Sequence, residues 1–482
     1  MQVNIKYWIN FTITTLLIFG AHWMPSFYCV TEYGATILLI FVGLIFGFAT
    51  VGLIEPSFMA LLSIGFTEYG TVGTVLKDAL GSNTILFTIG VMILSATLEE
   101  SGVTQKLVDW VVTNKYIKKS PWTLTFVILL ASYLVALFVN AVVPMLLFWS
   151  FVSTLCDKAR FEKNAKWPAV MYFGIAYMAT VASFIMPFQV GVIANFGMLA
   201  AASNGTITYS VAPYLIWSTI CSLLLFVAYW LFIRYIIRPD IQLLESINDS
   251  STTSEKLDFN RNQLISIIML SVMTVVLVIS SMFPDSSLLG QFFAKLETSG
   301  IILLLLIVLL SIRIKGKAIF QFSTLLSKGV IWDIIFMLAT IFFVVSVLTD
   351  PKTGIAEMIQ ALCTPFISKM SPLVFIVSVS LVILILSNLM MNAAVCCTLI
   401  PVLYILTENS DVNILLFVAM INFLGGMALL LPGSSAGSAM LYAQIPTKWI
   451  AKKNILIYSL FTIIATYIVI LLIGYPLGKI LL

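Results

Sequence analysis

Charged residues are scarce in this sequence, and their scarcity excludes a soluble globular protein. Only 10% of its 482 residues are Asp, Glu, Lys or Arg, whereas 61% are hydrophobic, and the mean hydropathy is +1.09. Soluble domains carry roughly 25% charged residues. The longest polar stretch, residues 239–262, is too short for a separate soluble domain. The composition therefore indicates a chain that lies almost entirely in a lipid bilayer.

Histidine and patterned cysteine are also lacking, which argues against an enzyme. The sequence has one histidine, His22, and six cysteines without CxxC spacing, so neither a His-ligated metal centre nor a disulfide framework is expected. It also lacks HExxH and DxD-type clusters, which membrane-embedded hydrolases and metal-dependent transferases need. The net charge of +4 comes from residues that flank apolar runs, so we expect no nucleic-acid partner.

Apolar runs are what the sequence has in abundance. Runs of this length and number predict an all-α polytopic membrane protein with about 11 transmembrane helices plus two re-entrant hairpins. The expected spans are residues 7–24, 35–54, 56–66, 84–99, 168–201 (interrupted), 213–237, 263–283, 299–312, 332–349, 413–445 (interrupted) and 455–478.

The basic residues predict the orientation of these spans. With the N-terminus in the cytoplasm, only five of the 25 basic residues face outside: Lys77, Lys295, Lys352, Lys369 and Lys479. Cytoplasmic loops of membrane proteins carry an excess of Lys and Arg. We therefore expect a multi-pass protein of the cytoplasmic (inner) membrane with a cytoplasmic N-terminus.

The stretch 121–156 is uncharged and has basic residues at both ends, which requires an even number of crossings. Two full spans need about 40 residues plus a turn, so the stretch is too short for them. A re-entrant hairpin that enters and leaves on the cytoplasmic side fits better, with Asn140 near its tip. An amide at that depth needs a polar partner or a water-filled cavity.

The same unit recurs later in the chain. Residues 371–407 are uncharged with Asn392 near the centre, and Asn140 to Asn392 is 252 positions (392 − 140), as is Gly102 to Gly354 (354 − 102). The lysine pattern puts the second hairpin outside, so we expect inverted repeats. The predicted units are 1–66 (N-terminal scaffold helices), 67–238 (first repeat, with hairpin 121–156 and broken helix 168–201), 239–262 (cytoplasmic linker) and 263–482 (second repeat, with hairpin 371–407 and broken helix 413–445).

Inverted repeats with paired interrupted helices are typical of secondary transporters, which bind substrate where the broken helices meet. The hairpins and the breaks 186–199 and 431–444 contain no Lys, Arg, Asp or Glu. Helix N-termini can hold an anion through backbone N–H groups. Asparagine oxygens and unwound carbonyls can ligate a small hard cation such as sodium.

Three motifs resemble the divalent anion/sodium symporter family of the ion transporter superfamily: LSATLEESG (94–102), MNAAVCCTLIP (391–401) and LPGSSAGSAMLY (431–442). The resemblance covers about residues 30–480. It implies an elevator-type carrier, a homodimer, and sodium-coupled symport of di- or tricarboxylates with no further cofactor. Sulfate is the next substrate that it implies.

Both hairpin tips keep only the asparagine of the family's Ser-Asn-Thr motif, reading Val-Asn-Ala at 139–141 and Met-Asn-Ala at 391–393. The candidate substrate-binding residues are Asn140, Asn392, Gln189, Ser434, Ser435 and Ser438. The candidate sodium ligands are Asn140, Asn392 and Ser387.

Several alternatives remain open. Asn140 and Asn392 could only cap the second helix of each hairpin, since Asn is a favoured N-cap, and the serines could only satisfy backbone groups at a break. Proton coupling, anion exchange and an ion channel are the alternative functions. A channel needs a continuous polar stripe, whereas two tips that enter from opposite faces favour alternating access.

Overall fold

The computed structural model describes residues 5–113, 120–248, 258–283, 286–314, 316–367, 370–408 and 410–482. These residues are predominantly helical. The helices are α1 (Ile5–Gly20), α2 (Glu32–Thr50), α3 (Ile54–Ile64), α4 (Val72–Leu80), α5 (Asn83–Ser101), α6 (Val103–Thr113), α7 (Pro121–Ala136), α8 (Val142–Lys158), α9 (Lys166–Ala182), α10 (Val190–Ala202), α11 (Val211–Leu231), α12 (Arg261–Ser280), α13 (Leu288–Ser311), α14 (Phe322–Gly329), α15 (Trp332–Leu348), α16 (Ile355–Ile367), α17 (Pro372–Leu389), α18 (Asn392–Thr407), α19 (Ile414–Gly426), α20 (Ala436–Tyr442), α21 (Lys452–Val469) and α22 (Tyr475–Leu481).

Two short strands, β1 (Arg313–Ile314) and β2 (Lys317–Ala318), pair antiparallel in the loop that follows α13. Short π-helical segments extend α11 and connect α21 to α22. Residues 249–257 of the predicted linker 239–262 lie outside the described residues.

Seven of the described helices are long and apolar enough to cross a membrane, or eight if the bent pair α14–α15 counts as one span. Several other apolar helices are shorter, among them α3, α7, α10, α18 and α19, which have 10–17 residues each. A full crossing needs about 20 residues. The protein is therefore a multi-pass membrane protein, and the predicted number of about 11 spans includes helices that are too short to cross alone.

The order of elements recurs along the chain. The sequence of helices from α4 to α11 is repeated from α14 to α21, with starts that differ by 250 positions for α4 and α14 (322 − 72) and by 241 for α11 and α21 (452 − 211). Gly102 lies between α5 and α6, and Gly354 lies at the equivalent place, directly before α16. Both have a left-handed backbone, with φ values of 74° and 69°. Only glycine adopts this backbone conformation without strain, so the turn is repeated together with its residue.

Packing brings the halves of each broken helix to different neighbours. Helix α9 packs against the hairpin pair α7 and α8, whereas α10 packs against α18 of the second hairpin. Helix α19 packs against α17 and α18, whereas α20 packs against α9. Each break is therefore a place where the two repeats meet, and the hairpin turns lie beside the breaks.

Candidate functional site

The first hairpin turns between α7 and α8, at residues 137–141. The Oδ1 atom of Asn140 accepts a hydrogen bond of 3.0 Å from the backbone N–H of Val142, in the first turn of α8. The Asn140 side chain is otherwise exposed. Asn140 thus satisfies one N–H group that the start of a helix leaves without an intrahelical acceptor.

The first break separates α9 from α10 and contains Pro187. Here the Nε2 atom of Gln189 donates to the carbonyls of Ala136 and Leu137, at 3.0 Å each. These carbonyls belong to the C-terminal end of α7, where the last C=O groups lack intrahelical donors. Gln189 therefore ties the break to the hairpin turn.

A cavity of about 480 Å³ opens at this junction, and we call it the first-break cavity. Its wall includes the turn 138–143, the break residues 188–191 and part of α5. The N-termini of α8 and α10 both lie in its wall, so two partial positive charges converge there. The N–H groups of Val142 and Val143 in α8 are already bonded to Asn140, so the free N–H groups are those of the first turn of α10, residues 190–192. Its polar side chains are Ser95, Glu99, Asn140, Ser183, Gln189 and Lys328.

Glu99 and Lys328 are the charged residues in this wall. The Nζ atom of Lys328 lies 3.0 Å from Oε2 of Glu100, in an ion pair between exposed side chains. An exposed pair of this kind contributes about 0–1 kcal/mol. Ser95 and Glu99 lie in the motif LSATLEESG but were not candidate site residues, and Ser183 and Lys328 lie outside the predicted hairpins and the segments 186–199 and 431–444.

At the second hairpin the tip asparagine behaves differently. The backbone N–H of Asn392 donates to the carbonyl of Ser434 at 2.9 Å, which joins this tip to the second break. Among the described residues no hydrogen-bond partner is found for the Asn392 side chain, and α18 begins without a side-chain cap. The amide of Asn392 is therefore free to bind a ligand, whereas that of Asn140 is engaged as a cap.

The three predicted serines of the second break bind its own backbone. Ser434 and Ser435 donate to the carbonyl of Ala428 at 2.9 and 2.7 Å. Ser438 donates to the carbonyl of Leu431 at 2.6 Å. The wall of the first-break cavity contains none of these serines and does not include Asn392.

Ser387 and its neighbour Asn388 connect the second hairpin to the second break. Ser387 is fully buried and donates to the carbonyls of Leu384 and Leu424 at 3.2 and 3.4 Å. Asn388 donates to the carbonyl of Met427 at 3.2 Å and accepts from the N–H of Leu430 at 3.2 Å. Asn388 faces a neighbouring helix end, as a structural residue would.

Several residues that the sequence did not single out satisfy the carbonyls of the two breaks. Ser218 on α11 donates to Ile185 at 3.1 Å, and Ser459 on α21 donates to Leu429 at 3.1 Å. The two serines are 241 positions apart (459 − 218), which is also the difference between the starts of α11 and α21. Three tyrosine hydroxyls donate to further carbonyls of the breaks: Tyr209 to Pro187, Tyr214 to Phe184 and Tyr442 to Leu430.

Among the described residues no group of three or more His, Cys, Asp and Glu side chains could hold a metal ion. The polar groups at the breaks are amides, hydroxyls and backbone carbonyls. These are hard oxygen and nitrogen groups, which suit a small anion at N–H groups and a hard cation at oxygens.

Comparison with known proteins gives a family and a fold. Residues 8–422 match the sequence profile of the citrate transporter family, CitMHS. No curated protein matches the sequence significantly. The crystal structure of the YdaH transporter from Alcanivorax borkumensis, described as having an unusual topology, is similar with a TM-score of 0.59 over 97% of this chain and 100% of that chain. The sequences are 15% identical, so this likeness shows a shared fold.

Proposed function

This chain belongs to the citrate transporter family, and on that premise we propose that it is a secondary active carrier of tri- and dicarboxylates, with citrate as the first substrate to test. It is a membrane transport protein and not an enzyme. The match is to CitMHS, a family of the ion transporter superfamily related to the divalent anion/sodium symporters. Membership of the divalent anion/sodium symporter family itself is not confirmed.

One observation carries the substrate class. The N-termini of α8 and α10, helices of 17 and 13 residues, open into the first-break cavity. Both helix dipoles favour a carboxylate there, and the first turn of α10, which has no side-chain cap, supplies the free N–H groups. Asn140 and Gln189 stand at these two N-termini, so a bound carboxylate would lie within reach of both side chains.

We propose sodium as the coupling ion, at the second hairpin. Asn392 has an unengaged amide there, and the carbonyls of the second break with the hydroxyl of Ser387 supply further oxygens. Proton coupling is the second candidate, and the observation that favours it is the carboxylate of Glu99 in the cavity wall. Anion exchange and sulfate transport are further alternatives for the same site.

The proposed membrane arrangement follows the short helices. Helices α7 and α8 have 16 and 17 residues, less than the roughly 20 of a full crossing, which supports a re-entrant hairpin. The lysine pattern supports inverted repeats, a cytoplasmic N-terminus and location in the inner membrane. An elevator motion of a homodimer is part of the proposal, and it rests on the family resemblance.

Uptake of radiolabelled citrate into proteoliposomes tests the proposal. We expect saturable uptake that an inward sodium gradient drives above the level reached with choline. Uptake that responds only to a proton gradient would replace sodium by protons, and a conductance that does not saturate would indicate a channel. No citrate uptake under any gradient, with succinate and sulfate also inert, would overturn the proposal.

A further inference from the structure

Three buried side chains connect the first break to the second repeat. The Nδ2 atom of Asn195 on α10 donates to Oδ1 of Asn422 on α19 at 2.8 Å. Asn422 donates in turn to the Tyr214 hydroxyl at 3.2 Å, and Tyr214 donates to the carbonyl of Phe184 at 2.7 Å. Asn422 and Tyr214 are fully buried, and Asn195 is 6% exposed. We call these three residues the polar chain.

The fold does not require the polar chain, because the second repeat packs without an equivalent. Helices α10 and α20 start 246 positions apart (436 − 190), which places Leu441 at the counterpart of Asn195. Helices α11 and α21 start 241 apart (452 − 211), which places Ile455 at the counterpart of Tyr214. Both counterparts are fully buried apolar side chains. Buried polar groups are costly unless fully paired, so the polar side chains of Asn195 and Tyr214, where the second repeat has apolar ones, point to a role beyond packing.

The polar chain ends at a residue of the cavity wall. Phe184 lines the first-break cavity, and its ring lies against two glycines. A Cβ atom on Gly191, at the start of α10, would lie 2.8 Å from this ring, and one on Gly426, at the end of α19, would overlap it. The ring therefore has little space to move away from the cavity, and a ligand that presses on it from the cavity side pushes it towards α10 and α19.

The end of α19 leads directly to the second hairpin. Leu424 accepts from Ser387, and Met427 accepts from Asn388, so a carbonyl on each side of the Gly425-Gly426 pair is bound to α17. A displacement of the Phe184 ring therefore moves the C-terminal end of α19, which is hydrogen-bonded to α17 of the second hairpin. The polar chain holds that helix end against α10 from the other side.

We infer that Asn195, Asn422 and Tyr214 are positioning residues that couple the first-break cavity to the second break. Occupation of the cavity then tightens the backbone at residues 427–435 and beside Asn392. This inference rests on the proposed function, since it gives a carrier the link between an anion half-site in one repeat and a cation half-site in the other. Linkage is reciprocal, so the factor by which the bound anion raises the affinity for the cation is also the factor by which the bound cation raises the affinity for the anion.

Hydrogen–deuterium exchange of the full-length protein in detergent tests the inference, with citrate added as its choline salt and without sodium, so that no cation binds directly at the second break. In the unaltered chain we expect slower exchange both at the first turn, residues 137–143, and at residues 427–435. In Asn422→Leu the first turn remains protected, while protection of the second break falls about fivefold or more, the lower end of typical coupling strengths. Equal protection at 427–435 in both proteins overturns the inference.

Ser218→Ala is the matched control, because it removes a buried hydrogen bond from a carbonyl of the first break, and the hydrogen bonds of Ser218 go to Ile185 and Leu215 and not to α19. It should leave the protection at 427–435 unchanged. The double variant Asn195→Leu/Asn422→Leu guards against misfolding, since replacing both partners by apolar side chains of similar shape is nearly neutral. It should lose the coupling as the single variant does.

A second arm fills the cavity without a substrate. Ser95→Cys, made with Cys29→Ser and Cys363→Ser, places an accessible thiol in the cavity wall, because the other four cysteines are buried. Modification with a carboxyethyl methanethiosulfonate should slow exchange at 427–435, and Asn422→Leu should abolish that effect. If modification does not slow exchange at 427–435, the inference is overturned and the proposed function is not. Absence of citrate protection at the first turn instead overturns the proposed citrate site.

Discussion

The amide that joins hairpin to break comes from opposite partners in the two repeats. In the first repeat Gln189 of the break donates to Ala136 and Leu137 of the hairpin. In the second, Asn388 of the hairpin donates to Met427 of the break. Both bonds satisfy carbonyls that an interrupted helix leaves unpaired. The backbone requirement is thus repeated, whereas the side chain that meets it is not.

This difference separates an amide that a ligand can reach from one that is committed to the backbone. Gln189 is half-buried and lines the first-break cavity, so a bound anion can compete for its amide. Asn388 is 2% exposed and makes its hydrogen bonds inside the protein. The Gln189 amide is therefore open to competition by a ligand, whereas the Asn388 amide is fixed in its hydrogen bonds to the backbone.

The largest expected effect is on stability at the second hairpin. Asn388→Leu leaves the Met427 carbonyl and the Leu430 N–H without partners, and each buried unpaired group costs about 1–3 kcal/mol. We expect a loss of about 2–4 kcal/mol, measured by chemical unfolding in detergent. Asn413→Ala is the control, because Asn413 only caps α19, which is worth about 1 kcal/mol. Equal losses in the two variants would contradict a structural role of Asn388.

Gln189→Met should have a smaller effect on stability and a larger one on transport. It keeps the side-chain volume but removes two hydrogen bonds to a half-buried site, at about 1–2 kcal/mol. If Gln189 also contacts the substrate, the KM for citrate rises about tenfold in proteoliposomes. Gln360→Met removes a comparable bond to Ile405 away from the cavity and should leave KM unchanged. A normal KM in Gln189→Met would show that Gln189 bonds only to backbone carbonyls and does not contact citrate.

Ser218→Ala and Ser459→Ala test whether the repeated caps are equivalent. Both serines are fully buried, and each donates to a carbonyl of a break at 3.1 Å. We expect each substitution to cost about 1 kcal/mol, with the two values within about 0.5 kcal/mol of each other. Thermal unfolding of the two variants side by side gives the comparison. A difference above about 1.5 kcal/mol would mean that one cap is dispensable.

The smallest change in stability is expected at the second tip. Asn392→Ala removes an amide without a hydrogen-bond partner among the described residues, so stability without ligand should change by less than about 0.5 kcal/mol. Asn140→Ala removes a cap and should cost about 1 kcal/mol.

In sodium, Asn392→Ala should lose more stability than Asn140→Ala, relative to the unaltered chain. A ligand at 100 times its Kd stabilises by about 2.7 kcal/mol, and Asn392→Ala should lose that gain relative to choline at equal ionic strength. A full sodium effect in Asn392→Ala would remove Asn392 from the cation site.

The sequence allowed several features to be predicted because they depend on local properties. Apolar length and charge indicated a polytopic membrane protein, and the spacing from Asn140 to Asn392 indicated a repeated unit. The same signal, an amide in an apolar run, was also available at Asn195 and Asn422. It does not by itself mark them as partners, because Asn195 lies within α10, past Pro187 and Gly191 of the first break, and Asn422 lies before the second break.

What the sequence by itself determined is which segments are apolar enough to enter a membrane and where Pro and Gly interrupt them, since hydrophobicity, length and Pro-Gly breaks are properties of the local chain. The tertiary structure decided which side chain meets which carbonyl. Gln189 reaches across 53 positions to Ala136, and Asn195 reaches across 227 to Asn422. Such bonds depend on how packed helices are rotated about their axes, and that rotation is set by many distant contacts together.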